Sequence, residues 1–171
     1  MVYSVFLLGS ITLASYYFVL PLVKPNEPLS VLWFGVPKHI QPLYYASIFL
    51  SGIVFIASFA WIVFHITDIP TIQKLTTAYI IFLIGAIGWS MMLWWWGTTE
   101  KNTMVHTLSQ VSVVASLTLT TLGIVLLVYY LWEAHRRDVF VPWWCFASVF
   151  YLLFHVFVLD NIHWTCGFLK A

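Results

Sequence analysis

The chain has 171 residues, of which 62% are hydrophobic and only 8% are charged, and its formal net charge is +1. A soluble domain carries roughly 25% charged residues, so this composition excludes a solvated globular domain and a disordered tail. The small net charge excludes the basic surface of a nucleic-acid-binding protein. Apolar runs of about twenty residues exclude the alternating strands of an outer-membrane barrel. The sequence therefore predicts an all-α, polytopic protein whose partner is the lipid bilayer and not nucleic acid.

Five apolar runs are long enough to cross a hydrocarbon core of about 30 Å. The predicted spans are residues 2–23, 42–66, 76–96, 104–132 and 142–159. All Lys, Arg, Asp and Glu residues fall outside these runs or at their margins. The one long connection, residues 24–41, is apolar enough to lie along the membrane surface with Trp33 as its anchor. We therefore predict an integral, multi-pass membrane protein that forms a single domain, a bundle of five transmembrane helices.

Small residues form stripes on the third and fourth predicted spans. Ser112, Ser116 and Thr120 recur at four-residue spacing and share one helix face. Gly85 and Gly88 form a complementary stripe on the third span. Small side chains let two helix backbones approach closely in a membrane, so we predict that these stripes pack against each other. An ion channel would need more polar groups at this depth and is a less favoured interpretation.

The 10 Trp residues lie mostly at the ends of the predicted spans, as in an aromatic belt at the headgroup level. The alternative is an aromatic pocket for a flat apolar or cationic ligand, with Trp89 near the middle of the third span as its best candidate. On the fifth span, Trp144, Tyr151 and His155 share one face at helical spacing. The candidate ligand-binding residues are therefore Trp89, Trp95, Trp144, Tyr151 and His155.

Ionisable residues form a predicted polar cluster near one end of the bundle: Glu100, His106, Asp160 and His163. Asp160 and His163 are adjacent on a helical turn if the fifth helix continues that far. Helix capping and hydrogen bonding between helices are the first interpretation, and a functional site is the second. A haem would need two His residues at one depth, for which His106 and His155 are the conceivable pair. No metal site and no other cofactor is predicted.

Several short motifs resemble the translocator-protein family, also called tryptophan-rich sensory proteins. They are Lys24-Pro25 after the first span, Leu43-Tyr44 at the start of the second, Tyr79, Trp89-Ser90 and Trp96-Gly97 in the third, and Pro142-Trp143 at the start of the fifth. The chain departs from the family at Asn26-Glu27-Pro28-Leu29, where the family has Trp-x-Pro-Pro. The resemblance implies a five-helix bundle that binds a small lipophilic ligand.

The sequence contains no catalytic motif of a familiar kind. It has no Ser/His/Asp or Cys/His arrangement, no His-Glu-x-x-His, no glycine-rich phosphate loop and no carboxylate in the middle of a predicted span. The first prediction is therefore a non-enzymatic structural or accessory subunit that packs with other membrane proteins or with copies of itself. The alternative is a protein that binds a small lipophilic ligand. A channel or a haem-based redox protein is less favoured.

Overall fold

The computed structural model describes residues 2–23, 36–101 and 103–169, and these residues form helices and no strand. The helices are α1 (Val2–Val23), α2 (Gln41–His65), α3 (Ile69–Thr98), α4 (Met104–Arg136) and α5 (Trp143–Phe154). A π-helix, π1 (His155–Trp164), continues α5 into a final turn, α6 (Thr165–Phe168). We call α5, π1 and α6 together the last helix. Five segments are thus long and apolar enough to cross a membrane, which confirms the predicted all-α bundle.

Residues 24–35, including Trp33, lie outside the described residues, and with them most of the predicted surface segment 24–41. Within the described part, α3 starts at Ile69 instead of residue 76. The reason is a helix cap, since the Asp68 carboxylate accepts a hydrogen bond of 2.9 Å from the N–H of Thr71. Pro70 follows in the first helical turn. Backbone N–H groups there have no acceptor within the helix, so the missing N–H of proline costs no hydrogen bond.

Removing the Asp68 cap is expected to fray the start of α3. Hydrogen bonds from the hydroxyl and the N–H of Thr71 lower the pKa of Asp68 from its ordinary value. The charged cap is therefore present at neutral pH, and its contribution to stability is lost as the pH falls through that lowered pKa. Hydrogen exchange at the Thr71 amide should be faster in Asp68→Ala than in wild type, and unchanged in Glu100→Ala, which alters an exposed acidic residue. An unchanged rate in Asp68→Ala would contradict the cap.

The helix α4 continues past the predicted end at residue 132 to Arg136. Glu133 on this extension accepts a hydrogen bond of 2.6 Å from the Lys74 ammonium group of α3, and it also pairs with Arg137. These pairs are partly exposed, so solvent screens them and they add little to stability. Lys74, Glu133 and Arg136 thus lie on helical turns that extend beyond the predicted apolar runs.

The central helix is α3, which lies between α1 and α4, while α5 packs against α2 and α4. α1 is parallel to α3. Val5, near the start of α1, belongs to the same core cluster as Leu75 of α3, whereas Ser15, near the end of α1, accepts a hydrogen bond of 2.8 Å from Ser90. We call the end of the bundle that holds Phe168 and the α3–α4 connection the C-terminal end, and the other the N-terminal end.

The closest approach between helices joins α3 and α4. A Cβ atom at Gly85 would lie 2.5 Å from the backbone nitrogen of Thr120, and one at Gly88 would lie 3.0 Å from Oγ of Ser116. Ser112, one turn before Ser116, is only half-buried. The glycines of α3 therefore face Ser116 and Thr120 of α4, and their lack of side chains permits this spacing.

Candidate functional site

The last helix departs from α-helical geometry over π1 (His155–Trp164). π-helical turns are rare and frequently lie at functional sites. The predicted fifth span ended at residue 159 and placed Asp160 after it. The helix instead continues to Phe168, so Asp160 lies within a membrane-length segment. Three other polar side chains of π1, those of His155, Asn161 and His163, have hydrogen-bond partners on neighbouring helices.

Ser47 of α2 connects two side chains of the last helix. Its Oγ lies 2.9 Å from the hydroxyl of Tyr151 and 2.9 Å from Nδ1 of His155. The other ring nitrogen of His155, Nε2, faces Oδ2 of Asp160 at 3.6 Å. Ser47 and His155 are both buried. A row of polar groups therefore runs from Tyr151 through Ser47 and His155 to Asp160.

A second link between α2 and π1 lies closer to the C-terminal end. The buried Tyr44 donates its hydroxyl hydrogen to the carbonyl of Leu159 at 3.0 Å, and its oxygen lies 2.6 Å from Nδ1 of His163. On the opposite side of π1, Asn161 donates to Oγ1 of Thr121 in α4 at 3.1 Å. These bonds hold π1 between α2 and α4.

Asp160 lies where three helices converge. In addition to His155 on its own helix, its carboxyl group lies within electrostatic range of the hydroxyls of Tyr16 on α1 and Tyr44 on α2. Despite these neighbours, 31% of the Asp160 side chain remains accessible. An ionisable side chain within a membrane helix is costly and marks a functional site by default. The structure thus places an accessible acid inside the bundle.

An aromatic cluster of Tyr16, Trp89, Trp164 and Phe168 adjoins this acid. Trp89 packs edge-on against both Tyr16 and Trp164 at 5.6 Å between ring centroids, and Trp164 stacks on Phe168 at 4.9 Å. Trp89 is only 9% exposed, and its Nε1 atom is buried without a hydrogen-bond partner among the described residues. A buried donor without an acceptor is costly, so this N–H marks a place for one more polar atom.

The five predicted ligand-binding residues do not all lie together. Tyr151 and His155 share a hydrogen-bond partner, and Trp89 belongs to the aromatic cluster beside Asp160. Trp144 lies on the first turn of α5, at the N-terminal end of the bundle. Two residues on the same helix face can lie at different depths in the bundle. Trp144 and His155 are eleven residues apart, which corresponds to about 16 Å along the helix. Trp95 is half-buried and makes no ring contact with a described residue.

The predicted polar cluster separates into three parts. Asp160 and His163 belong to the site described above. His106 lies at the start of α4, beside the α3–α4 connection. Glu100 is exposed in that connection. No group of three His, Cys, Asp or Glu side chains within the described ranges converges as metal ligands would.

The pair considered for haem, His106 and His155, has three of its four ring nitrogens in hydrogen bonds. Nε2 of His106 accepts a hydrogen bond of 3.2 Å from the Trp96 indole, and Nδ1 lies 3.0 Å from Oγ1 of Thr99. His155 uses Nδ1 toward Ser47 and directs Nε2 toward the acid of π1. Both ring nitrogens of His106 are thus hydrogen-bonded, whereas Nε2 of His155 makes no hydrogen bond to a described residue.

Sequence reasoning did not include Tyr16, Tyr44 or Ser47 among the site residues. A signal existed for two of them, because Tyr44, Ser47, Ser51 and Ser58 all lie on the buried face of α2. Hydroxyls at helical spacing on one face indicate a polar seam between helices. No comparable pattern marks Tyr16.

Comparison of the chain with protein-family models, with curated proteins and with solved structures gives no match. No relative therefore supplies a role for the site residues, and their chemistry follows from their own contacts.

Proposed function

We propose that this chain is a non-enzymatic, multi-pass membrane protein that binds a small lipophilic ligand at the Asp160 site. The observation that supports it most is an accessible carboxylate within a membrane-length helix, where α1, α2 and the last helix converge. Small-molecule sites have a largely apolar lining with a few oriented polar groups. The aromatic cluster supplies the lining, and Asp160 with the indole N–H of Trp89 supplies the polar groups. The translocator-protein resemblance implies the same class of ligand.

Helix packing alone does not account for these polar groups. In the α3–α4 seam the hydroxyls bond to their own helix backbone, as Ser116 does to the carbonyl of Ser112 and Thr120 to that of Ser116. Ser47 bonds across to another helix instead and belongs to a row that ends at Asp160. An acid within a membrane helix adds a cost that a packing role does not require. Binding of a ligand to the carboxyl group would account for an acid at this position.

Gentle extraction followed by native mass measurement tests the proposed function. We expect a monomer or dimer that carries a lipophilic molecule, and we expect Asp160→Asn to lose that molecule because the variant removes the charge at nearly constant size. Asp68→Asn, which changes an acid outside the membrane-length segments, should retain it. Wild-type protein without a bound molecule, or equal occupancy in Asp160→Asn, would contradict the proposal.

A second candidate, the structural or accessory subunit, is favoured by a different surface. A groove of about 680 Å³ runs along the outer face of α4 between Thr107 and Leu122, and Leu169 completes its lining. Its lining includes Gln110, whose amide makes no hydrogen bond to a described residue. Amide side chains promote association between membrane helices. A large defined assembly without a small ligand, in the same mass measurement, would favour this candidate.

A further inference from the structure

The acid at Asp160 determines which class of lipophilic ligand the site would accept. This inference rests on the proposed function. The ionisable groups around Asp160 are His155 and His163 of its own helix, Tyr44 of α2 and Tyr16 of α1. Within the described part of the chain, no Lys or Arg side chain pairs with Asp160. The basic neighbours are therefore two imidazoles, which are not permanent cations.

Neither imidazole forms a tight ion pair with the acid. Nε2 of His155 is 3.6 Å from Oδ2 of Asp160, whereas charge-assisted hydrogen bonds are about 2.7–2.9 Å long. Nδ1 of His163 is directed to the hydroxyl of Tyr44. A carboxylate accepts several hydrogen bonds, so Asp160 retains capacity for an additional donor, and its accessible surface gives that donor a route.

The aromatic neighbours favour a positively charged donor. Ring faces attract cations, Trp most strongly, and the attraction increases where water is excluded. Trp164, four positions after Asp160 on π1, contacts Trp89, which in turn contacts Tyr16. We propose that the ligand is a lipophilic amine, whose ammonium group pairs with the Asp160 carboxylate while its apolar part packs on Tyr16, the half-buried member of the aromatic cluster. An oxygen or nitrogen acceptor on the same molecule would satisfy the N–H of Trp89.

Saturation binding of a matched pair of compounds tests this assignment. Benzylpiperidine carries a protonated amine at neutral pH, and benzylcyclohexane has nearly the same shape without charge. Both are measured against the protein in lipid nanodiscs, with empty nanodiscs subtracted for partitioning. We expect wild type to bind the amine at least about tenfold more tightly than the neutral compound. We expect Asp160→Asn to lose that preference and Glu100→Gln, at the same end of the bundle, to keep it.

Each outcome has a distinct meaning. Equal saturable binding of both compounds would overturn the amine assignment and leave the lipophilic site intact. Saturable binding of neither would overturn both proposals. A tenfold preference that persists in Asp160→Asn would show that another group binds the amine. Thermal unfolding in the same nanodiscs identifies a variant that fails to fold. In that case Asp160→Glu, which retains the charge, is expected to retain the preference, and its loss would contradict the proposal.

Discussion

Replacing Gly85 with Ala is expected to lower the free energy of unfolding by at least about 1–3 kcal/mol. Overpacking changes typically cost this much, and this one belongs to the more costly of them. The added methyl group would lie 2.5 Å from the backbone nitrogen of Thr120. A flexible side chain could rotate away, but a helix backbone cannot, so α3 and α4 must separate. That separation would weaken the contact that organises the centre of the bundle.

The matched control for Gly85→Ala is Gly52→Ala. Gly52 lies on α2, and a Cβ atom there would have no heavy atom of another residue within 4 Å. Its replacement is expected to be neutral or slightly stabilising, since Ala is the better helix former. Gly123→Ala should resemble Gly85→Ala, because Gly123 faces the backbone of Phe82. Unfolding titrations in mixed micelles measure all three, and equal stability of Gly85→Ala and Gly52→Ala would contradict the tight α3–α4 contact.

Replacing Ser47 with Ala is the second change with a large expected effect. Its hydroxyl serves both Tyr151 and His155, each at 2.9 Å. The variant would leave the buried His155 and the half-buried Tyr151 without this partner, and a buried unsatisfied group costs about 1–3 kcal/mol. We therefore expect a clear loss of unfolding free energy and weaker ligand binding, because His155 also faces Asp160.

Ser51 provides the control on the same helix, one turn further along. It is 6% exposed, close to the 4% of Ser47, but its Oγ has no hydrogen-bond partner among the described residues. Removing an unpartnered buried hydroxyl relieves a desolvation cost, so Ser51→Ala is expected to be neutral or stabilising. The same unfolding titration compares the two variants. A larger loss of unfolding free energy in Ser51→Ala than in Ser47→Ala would contradict the row of polar groups from Tyr151 to Asp160.

The architecture was predictable because hydropathy acts over whole segments. Runs of apolar residues must be buried in lipid or protein whatever their neighbours are, so five membrane-length helices could be predicted without tertiary contacts. The ends of the helices were harder to predict from hydropathy. They depend on single groups, such as the Asp68 cap of α3 and the pairing of Glu133 with Lys74, which extend helices past the apolar runs.

The candidate site was only partly predictable, because its members come from separate helices. Spacing along one helix identified Tyr151 and His155 as sharing a face, but it could not identify Ser47, which lies more than one hundred positions away. The sequence also placed Asp160 beyond the fifth span, since a charged residue normally ends an apolar run. Its position inside the bundle depends on π1 and on the hydrogen bonds that hold π1 between α2 and α4, which no local pattern reveals.

Photolabelling tests most directly the central claim, that a lipophilic ligand binds at Asp160. A diazirine derivative of benzylpiperidine is activated on the protein in lipid nanodiscs, and the labelled residues are mapped by peptide sequencing. The account predicts labels near Tyr16, near Tyr44 and along π1, all suppressed by excess unlabelled amine. Labels confined to the outer face of α4 around Gln110, or labels that excess amine does not suppress, would contradict it.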